Sequence, residues 1–90
     1  MLAITINDTN CDTTEDKARA HAAAMAVFDA AGCKPVDAQD EYRSQLDALD
    51  NEVDMTGLAL VWLNARNAAE VAASKGWHNP NGCEVTMDAW

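Results

Sequence analysis

Apolar residues alternate with small or polar ones near both ends of the chain, and they recur at helical spacing in between. Leu2, Ile4 and Ile6 follow a period of two, which predicts a short strand with one buried face. Residues 83 to 88 show the same alternation and predict a second strand. Because two strands alone form only a marginal sheet, we expect them to pair with each other beneath a layer of helices.

The first predicted helix lies in an alanine-rich stretch that runs to Ala31. Asp12 can cap its first turn, with Glu15 at the position of a capping box, and Gly32 suits its C-terminal end. Alanine has the highest helix propensity of all residues, so this helix is expected to be continuous. Phe28 is its largest apolar side chain.

The second helix is predicted from residue 37 to about residue 53, with Asp37 as its N-cap. Tyr42, Leu46, Leu49 and Val53 are spaced as neighbours on one helical face. This spacing predicts an apolar stripe that packs against the rest of the domain.

The third helix is predicted to be central, because residues 58 to 63 are apolar nearly all round; Gly76 ends it. Together these elements predict an α+β fold that is mainly helical. Its order is strand, three helices, strand (β-α-α-α-β), with the helices packed on a two-stranded sheet. The expected core comprises large apolar side chains of these elements, namely Leu2, Ile4, Phe28, Leu46, Leu49 and Trp62.

Length and composition favour one globular domain over residues 1–90. With 49% hydrophobic residues the chain can bury a core, which argues against wholesale disorder. The first residues lack the segments of a signal peptide, and no apolar run reaches the length of a membrane span. Three cysteines are an odd number for a disulfide framework, which favours free thiols and a cytoplasmic location.

The charge of the chain narrows the classes of partner. Fifteen acidic and six basic residues give a formal net charge of −9. Such a surface repels nucleic acids and anionic membranes, and it attracts basic proteins or cations. The alternative is that the charge serves solubility alone.

No sequence motif indicates catalysis, a cofactor or a metal site. The candidate metal ligands Cys11, His21, Cys33, His78 and Cys83 lack the close pairing of a zinc site. Acidic residues flank Cys11 and oppose formation of a thiolate. The sequence holds neither a glycine-rich phosphate loop nor a nucleophile with an adjacent base. We therefore expect a binding protein without a cofactor, and not an enzyme.

The acidic residues concentrate between residues 37 and 54, where seven acids minus one base give a charge of −6. Like charges this dense cost helix stability, which favours a functional explanation. An ordinary solvated helix face is the alternative. We assign partner binding to the carboxylates on and beside one arc of this helix, namely Asp40, Glu41, Asp47, Asp50, Glu52 and Asp54.

Two tryptophans are further candidates for partner contact. Trp62 belongs to the third helix and is expected in the core, whereas Trp77 and Trp90 lie outside the predicted helices. Tryptophan is enriched at the hot spots of protein interfaces, so we add Trp77 and Trp90 to the partner-binding residues. Docking on the chain's own surface is the alternative for both.

In size, net charge and the acidic cluster of residues 37 to 54, the chain resembles the small acidic phage-encoded inhibitors of the anti-CRISPR type. It also resembles bacterial immunity proteins that neutralise nuclease toxins. The resemblance implies an inhibitor or nucleic-acid mimic that occupies a basic site on a nucleic-acid-handling protein in the host cell cytoplasm. The alternative is a homo-oligomeric structural or scaffolding subunit, in which the apolar stripe of the second helix or the tryptophans meet a second copy.

Overall fold

A computed structural model describes residues 1–7, 13–74 and 83–90. The elements follow one another as β1 (Leu2–Ile6), α1 (Thr14–Ala31), α2 (Pro35–Leu49), α3 (Gly57–Ala73) and β2 (Val85–Ala89). This order confirms the predicted α+β fold, mainly helical, with three helices between two strands. No helix within the described ranges is long and apolar enough to cross a membrane.

The two strands form an antiparallel pair, with Leu2 opposite Ala89 and Ile6 opposite Val85. Alternate side chains of each strand point to opposite faces of the sheet. Leu2, Ile6, Val85 and Ala89 are buried beneath the helices, as the period of two predicts. The opposite face of the sheet carries small or polar residues and is exposed to solvent.

The helices form one layer with α3 in the middle. α3 packs extensively against both α1 and α2, whereas α1 and α2 hardly meet. α1 lies over β1, while α2 and α3 lie against β2. The two outer helices therefore face different strands, and α2 belongs to the β2 side of the molecule.

The core is built around Phe28 of α1 and Trp62 of α3. Their ring centroids lie 6.0 Å apart, and Tyr42 of α2 approaches the other side of Trp62 at the same centroid distance. Elsewhere the α1–α3 interface consists of buried alanines, which let the two helices approach closely. Burial of Leu2, Phe28 and Trp62 agrees with the prediction.

Three residues predicted in the core are less buried than expected. Leu49 remains 38% exposed, because α2 ends there, and Ile4 and Leu46 are only half-buried. α3 is not buried all round either, since Leu58 and Leu60 are exposed. Its inner positions are taken by small residues and Trp62 instead, namely Ala59, Trp62, Ala65, Ala69 and Ala73.

The bounds of two helices also differ from the predictions. Thr13, and not Asp12, caps α1: its hydroxyl accepts from the Asp16 backbone N–H at 3.1 Å in a capping box. α2 begins two residues early, at Pro35, because proline suits the first helical turn. It ends at Leu49 because Asp50 adopts a left-handed conformation with φ of 55°. Residues 50 to 53 are therefore not helical.

The cysteines require a correction. Cys83 is buried and disulfide-bonded, whereas Cys33 is a free thiol. The expectation of free thiols is therefore wrong for Cys83. The cysteines thus give no support to the prediction of a reducing, cytoplasmic location. Cys11 and His78 lie outside the described residues.

Candidate partner-binding surface

The outward face of α2 carries a row of carboxylates. Asp40 and Asp47 are seven residues apart, which is about 10 Å along a helix, and they differ by only about 20° around its axis. Glu41 lies beside Asp40, and all three side chains are exposed. Asp37 is exposed on the same face and lengthens the row by one turn. Its spacing of three residues from Asp40 is the sequence signal for this extension of the row.

Asp50 and Asp54 do not continue this row as helical residues. Asp50 is the C-cap of α2, and Asp54 lies in the turn that leads to α3. The Asn51 side chain holds this turn, since its Oδ1 accepts from the backbone N–H groups of Val53 and Asp54 at 3.0 and 3.2 Å. We use the name acidic surface for those exposed carboxylates of this helix and turn that the sequence assigns to partner binding, namely Asp40, Glu41, Asp47, Asp50 and Asp54.

The carboxylates of the acidic surface form no ion pair with the described residues. The ion pairs within the described part of the chain join Arg19 to Asp16, Arg43 to Asp88 and Arg66 to Glu52. Glu41 accepts only a neutral hydrogen bond, from Gln45 Nε2 at 3.0 Å. The charges of the acidic surface are therefore available to a basic partner.

Two of these carboxylates sit where their charge opposes the helix. Asp47 and Asp50 lie at the C-terminal end of α2, which is the negative end of the helix dipole. The last turn of α2 holds no basic residue that would offset them. These two charges therefore do not stabilise the helix, which favours a role for them in binding another molecule.

Glu52, which the sequence assigns to partner binding, is engaged within the chain. Arg66 donates to both of its carboxylate oxygens, at 2.7 and 3.0 Å, and the Tyr42 hydroxyl donates to Oε2 at 2.6 Å. These hydrogen bonds, the Arg66 bond first, lower the pKa of Glu52. Burial and the bond to Glu52 raise the pKa of Tyr42. Glu52 is thus already neutralised inside the chain, and it holds the turn that carries Asp50 and Asp54.

Trp90 is 60% exposed and lies beside α2, as two contacts of the preceding residues show. The buried Gln39 side chain donates to the Ala89 carbonyl at 2.8 Å and accepts from the Ala89 N–H at 3.0 Å. Arg43 pairs with Asp88 at 3.5 Å. The backbone of Trp90 therefore follows directly on residues that contact the first half of α2. Trp77 lies outside the described residues.

A cleft of about 260 Å³ lies between α2, α3 and β2. Tyr42, Trp62, Arg43 and Arg66 are among the residues that line it. Both arginines are already paired, with Asp88 and with Glu52, and Glu84 adds a further carboxylate to the lining. The cleft therefore has no surplus positive charge with which to hold an anion.

Cys33 and His21 are two described residues whose side chains could take part in nucleophilic or metal chemistry. Burial raises the pKa of the Cys33 thiol, and Asp37 adds to the effect, so Cys33 is a poor nucleophile. His21 is exposed. Within residues 1–7, 13–74 and 83–90, no three metal-ligating side chains come close enough to hold an ion.

Comparison of the chain with known protein families, with curated proteins and with solved structures gave no match.

Proposed function

We propose that this chain is a non-enzymatic binding protein whose acidic surface occupies a basic, nucleic-acid-binding site on a partner protein. The observation that carries the proposal is a set of exposed carboxylates that form no ion pair with the described residues of the chain. Asp47 and Asp50 add to it, since their positions at the end of α2 oppose helix stability.

The mechanism is competition for the same cationic side chains. A protein that binds nucleic acid does so largely through lysine and arginine residues that neutralise phosphates. The carboxylates of Asp40 and Asp47, about 10 Å apart along α2, offer such a groove a row of negative charge instead. Trp90 adds an aromatic surface at the edge of that row, which suits a contact with a partner's arginine or an apolar pocket. The partner is then blocked as long as the chain is bound.

This mode of action is the one expected of an inhibitor of the anti-CRISPR or immunity-protein type, and the host cytoplasm is the expected place of action. The alternative of a structural or scaffolding subunit built on the apolar stripe of α2 has less support. Tyr42 is engaged with Trp62 and Glu52, and Leu46 is half-buried within the chain. Leu49 is exposed to a second copy, and so is Val53, which lies beyond the end of α2.

The test measures affinity for a panel of CRISPR effector complexes and nuclease toxins, with labelled DNA as competitor. We expect at least one of them to bind the chain, to be displaced by DNA and to bind more weakly at high salt, because screening weakens complementary charge. Asp40→Asn combined with Asp47→Asn should weaken that binding about tenfold or more.

A matched control removes the same number of charges from α1, which lies on the other side of α3. Glu15→Gln combined with Asp29→Asn should leave the affinity close to that of the wild type, since both residues are exposed on α1 and not on α2. Equal weakening by the two double variants would mean that net charge alone matters. Absence of binding to every member of the panel at low salt would contradict the proposal.

A further inference from the structure

The two edges of the sheet can be identified from its hydrogen bonds. Met1 and Trp90 exchange backbone bonds of 2.8 and 3.1 Å, and the Asn7 N–H donates to the Glu84 carbonyl at 2.8 Å. In an antiparallel pair, residues alternate between partners that exchange hydrogen bonds and partners that do not. The backbone groups of Leu2, Ile4 and Ile6 therefore point away from β2, toward the outer edge of β1.

The outer edge of β2 is closed by side chains of the helices. Gln39 binds both backbone groups of Ala89, much as a neighbouring strand would. Glu70 accepts from the Val85 N–H at 3.3 Å. Two of the three outward-facing residues of β2 are thus occupied from within the chain.

The outer edge of β1 has no such cover from the described residues. No hydrogen bond among them reaches the outward backbone groups of Leu2, Ile4 or Ile6. The strand also lacks the features that keep edges apart in natural proteins, since residues 1–7 contain no proline and no charged side chain. A strand of this kind is ready to pair with another one.

We propose that the outer edge of β1 pairs with β1 of a second copy of this chain, in antiparallel orientation about Ile4. Leu2 of each copy then lies opposite Ile6 of the other, and about six new backbone hydrogen bonds form. Side chains directly opposite each other share a face of the sheet, so both buried rows stay beneath the helices. The product is a four-stranded sheet in the order β2–β1–β1–β2.

The distribution of charge favours a second copy as the occupant. Two chains of net charge −9 repel each other over most approaches, whereas β1 is uncharged. The acidic surface lies on α2, which packs on the β2 side, so pairing through β1 keeps the acidic surfaces of both copies far apart. The helix above β1 exposes small side chains at four-residue spacing, namely Ala18, Ala22, Ala26 and Ala30, and so leaves room for a neighbouring helix.

The first measurement is the mass in solution, by light scattering or sedimentation over a range of protein concentrations. We expect a species of about twice the 9.7 kDa of the chain, and its share should rise with salt, because screening reduces the repulsion between two acidic copies. A chain that stays monomeric at about millimolar concentration in high salt would overturn the proposal.

The second measurement tests the register with charge-swapped variants. In the proposed pairing, Ala3 of one copy lies opposite Thr5 of the other, and both side chains are exposed. Copies with Ala3→Lys and Thr5→Lys should be monomeric, and so should copies with Ala3→Glu and Thr5→Glu. An equal mixture of the two should regain the doubled mass, because each lysine then meets a glutamate. Thr86→Lys on β2 is the matched control on the same face, and it should leave the dimer intact.

The third measurement is hydrogen exchange of single amides. The N–H groups of Leu2, Ile4 and Ile6 should exchange about tenfold more slowly at high than at low protein concentration, whereas those of Ala3 and Thr5 should not change. Each variant is used only if its thermal unfolding remains cooperative. A dimer that the charge-swapped variants fail to break, or that leaves these three amides unprotected, would place the interface elsewhere and refute the pairing.

Discussion

The guanidinium of Arg66 donates a hydrogen bond to each carboxylate oxygen of Glu52, and so links the turn after α2 to the middle of α3. The Tyr42 hydroxyl completes the link to α2 itself. Glu52 is in the densest acidic stretch of the sequence, yet its carboxylate pairs with Arg66 and so holds the turn after α2 in place. The placement of Asp50 and Asp54 on the acidic surface depends on this internal ion pair.

We expect Glu52→Gln to lower the free energy of unfolding by about 1–2 kcal/mol at neutral pH, because a partly exposed ion pair and a charged hydrogen bond are weakened. The pKa of Glu52 is lowered from its ordinary value of 4.5 on folding, so its contribution is complete above that value. It is lost as the pH falls below 4.5 through the lowered pKa. The difference between wild type and variant in chemical unfolding should therefore shrink as the pH falls below 4.5. A constant difference across this range would contradict the ion pair as its source.

Gln39→Met should destabilise the protein by about 2–4 kcal/mol, because it leaves the buried N–H and carbonyl of Ala89 without partners while it conserves volume. Gln45→Met is the control, since Gln45 also bonds backbone groups, of Thr56, but at a more exposed place. We expect a smaller loss there, measured by the same denaturant titration. Equal losses would mean that burial of the Gln39 bonds is unimportant.

Reduction of the protein should lower its melting temperature, because a disulfide constrains the unfolded chain and is typically worth about 2–4 kcal/mol. Cys83→Ser should reproduce the effect, and reductant should then have no further influence. Cys33→Ser is the control, because Cys33 is a free, half-buried thiol. Melting that is indifferent to reductant would contradict a structural role for the Cys83 bond.

The two ends of α2 should respond oppositely to loss of a charge. Asp37→Asn removes an acid from the first turn, where it suits the helix dipole, and should lower stability by a few tenths of a kcal/mol. Asp47→Asn removes one near the C-terminal end and should raise stability by about the same amount. Differential scanning calorimetry at low salt can resolve the two shifts. Shifts of the same sign would show that net charge outweighs the dipole.

The fold was predictable because its signals are local. The alternation of Leu2, Ile4 and Ile6 predicted β1, and the pairing of the strands followed from the instability of either one alone. The capping residues around α1 marked its ends to within about one or two residues. The end of α2 was not predictable in this way, because Asp50 stops the helix through a backbone conformation that most residues avoid.

The candidate surface was only partly predictable, because the features that the sequence did not reveal depend on contacts between distant residues. The helical spacing of Asp40 and Asp47 correctly placed them on one exposed face. The partner of Glu52 could not be found from periodicity, since Arg66 lies on another helix, 14 residues away. The proximity of Trp90 to α2 likewise depends on the pair Gln39 and Ala89, which are 50 residues apart.

The pairing of β1 with β2 also sets an order of events during folding. It joins residues as distant as Leu2 and Ala89, which are 87 positions apart, whereas each helix forms from neighbouring residues. Closing so long a loop costs entropy that is recovered only once α1 and α3 have brought the strands together. β1 is thus the last segment to find its partner during folding. Until β2 pairs with it, the backbone groups on both of its edges are unpaired.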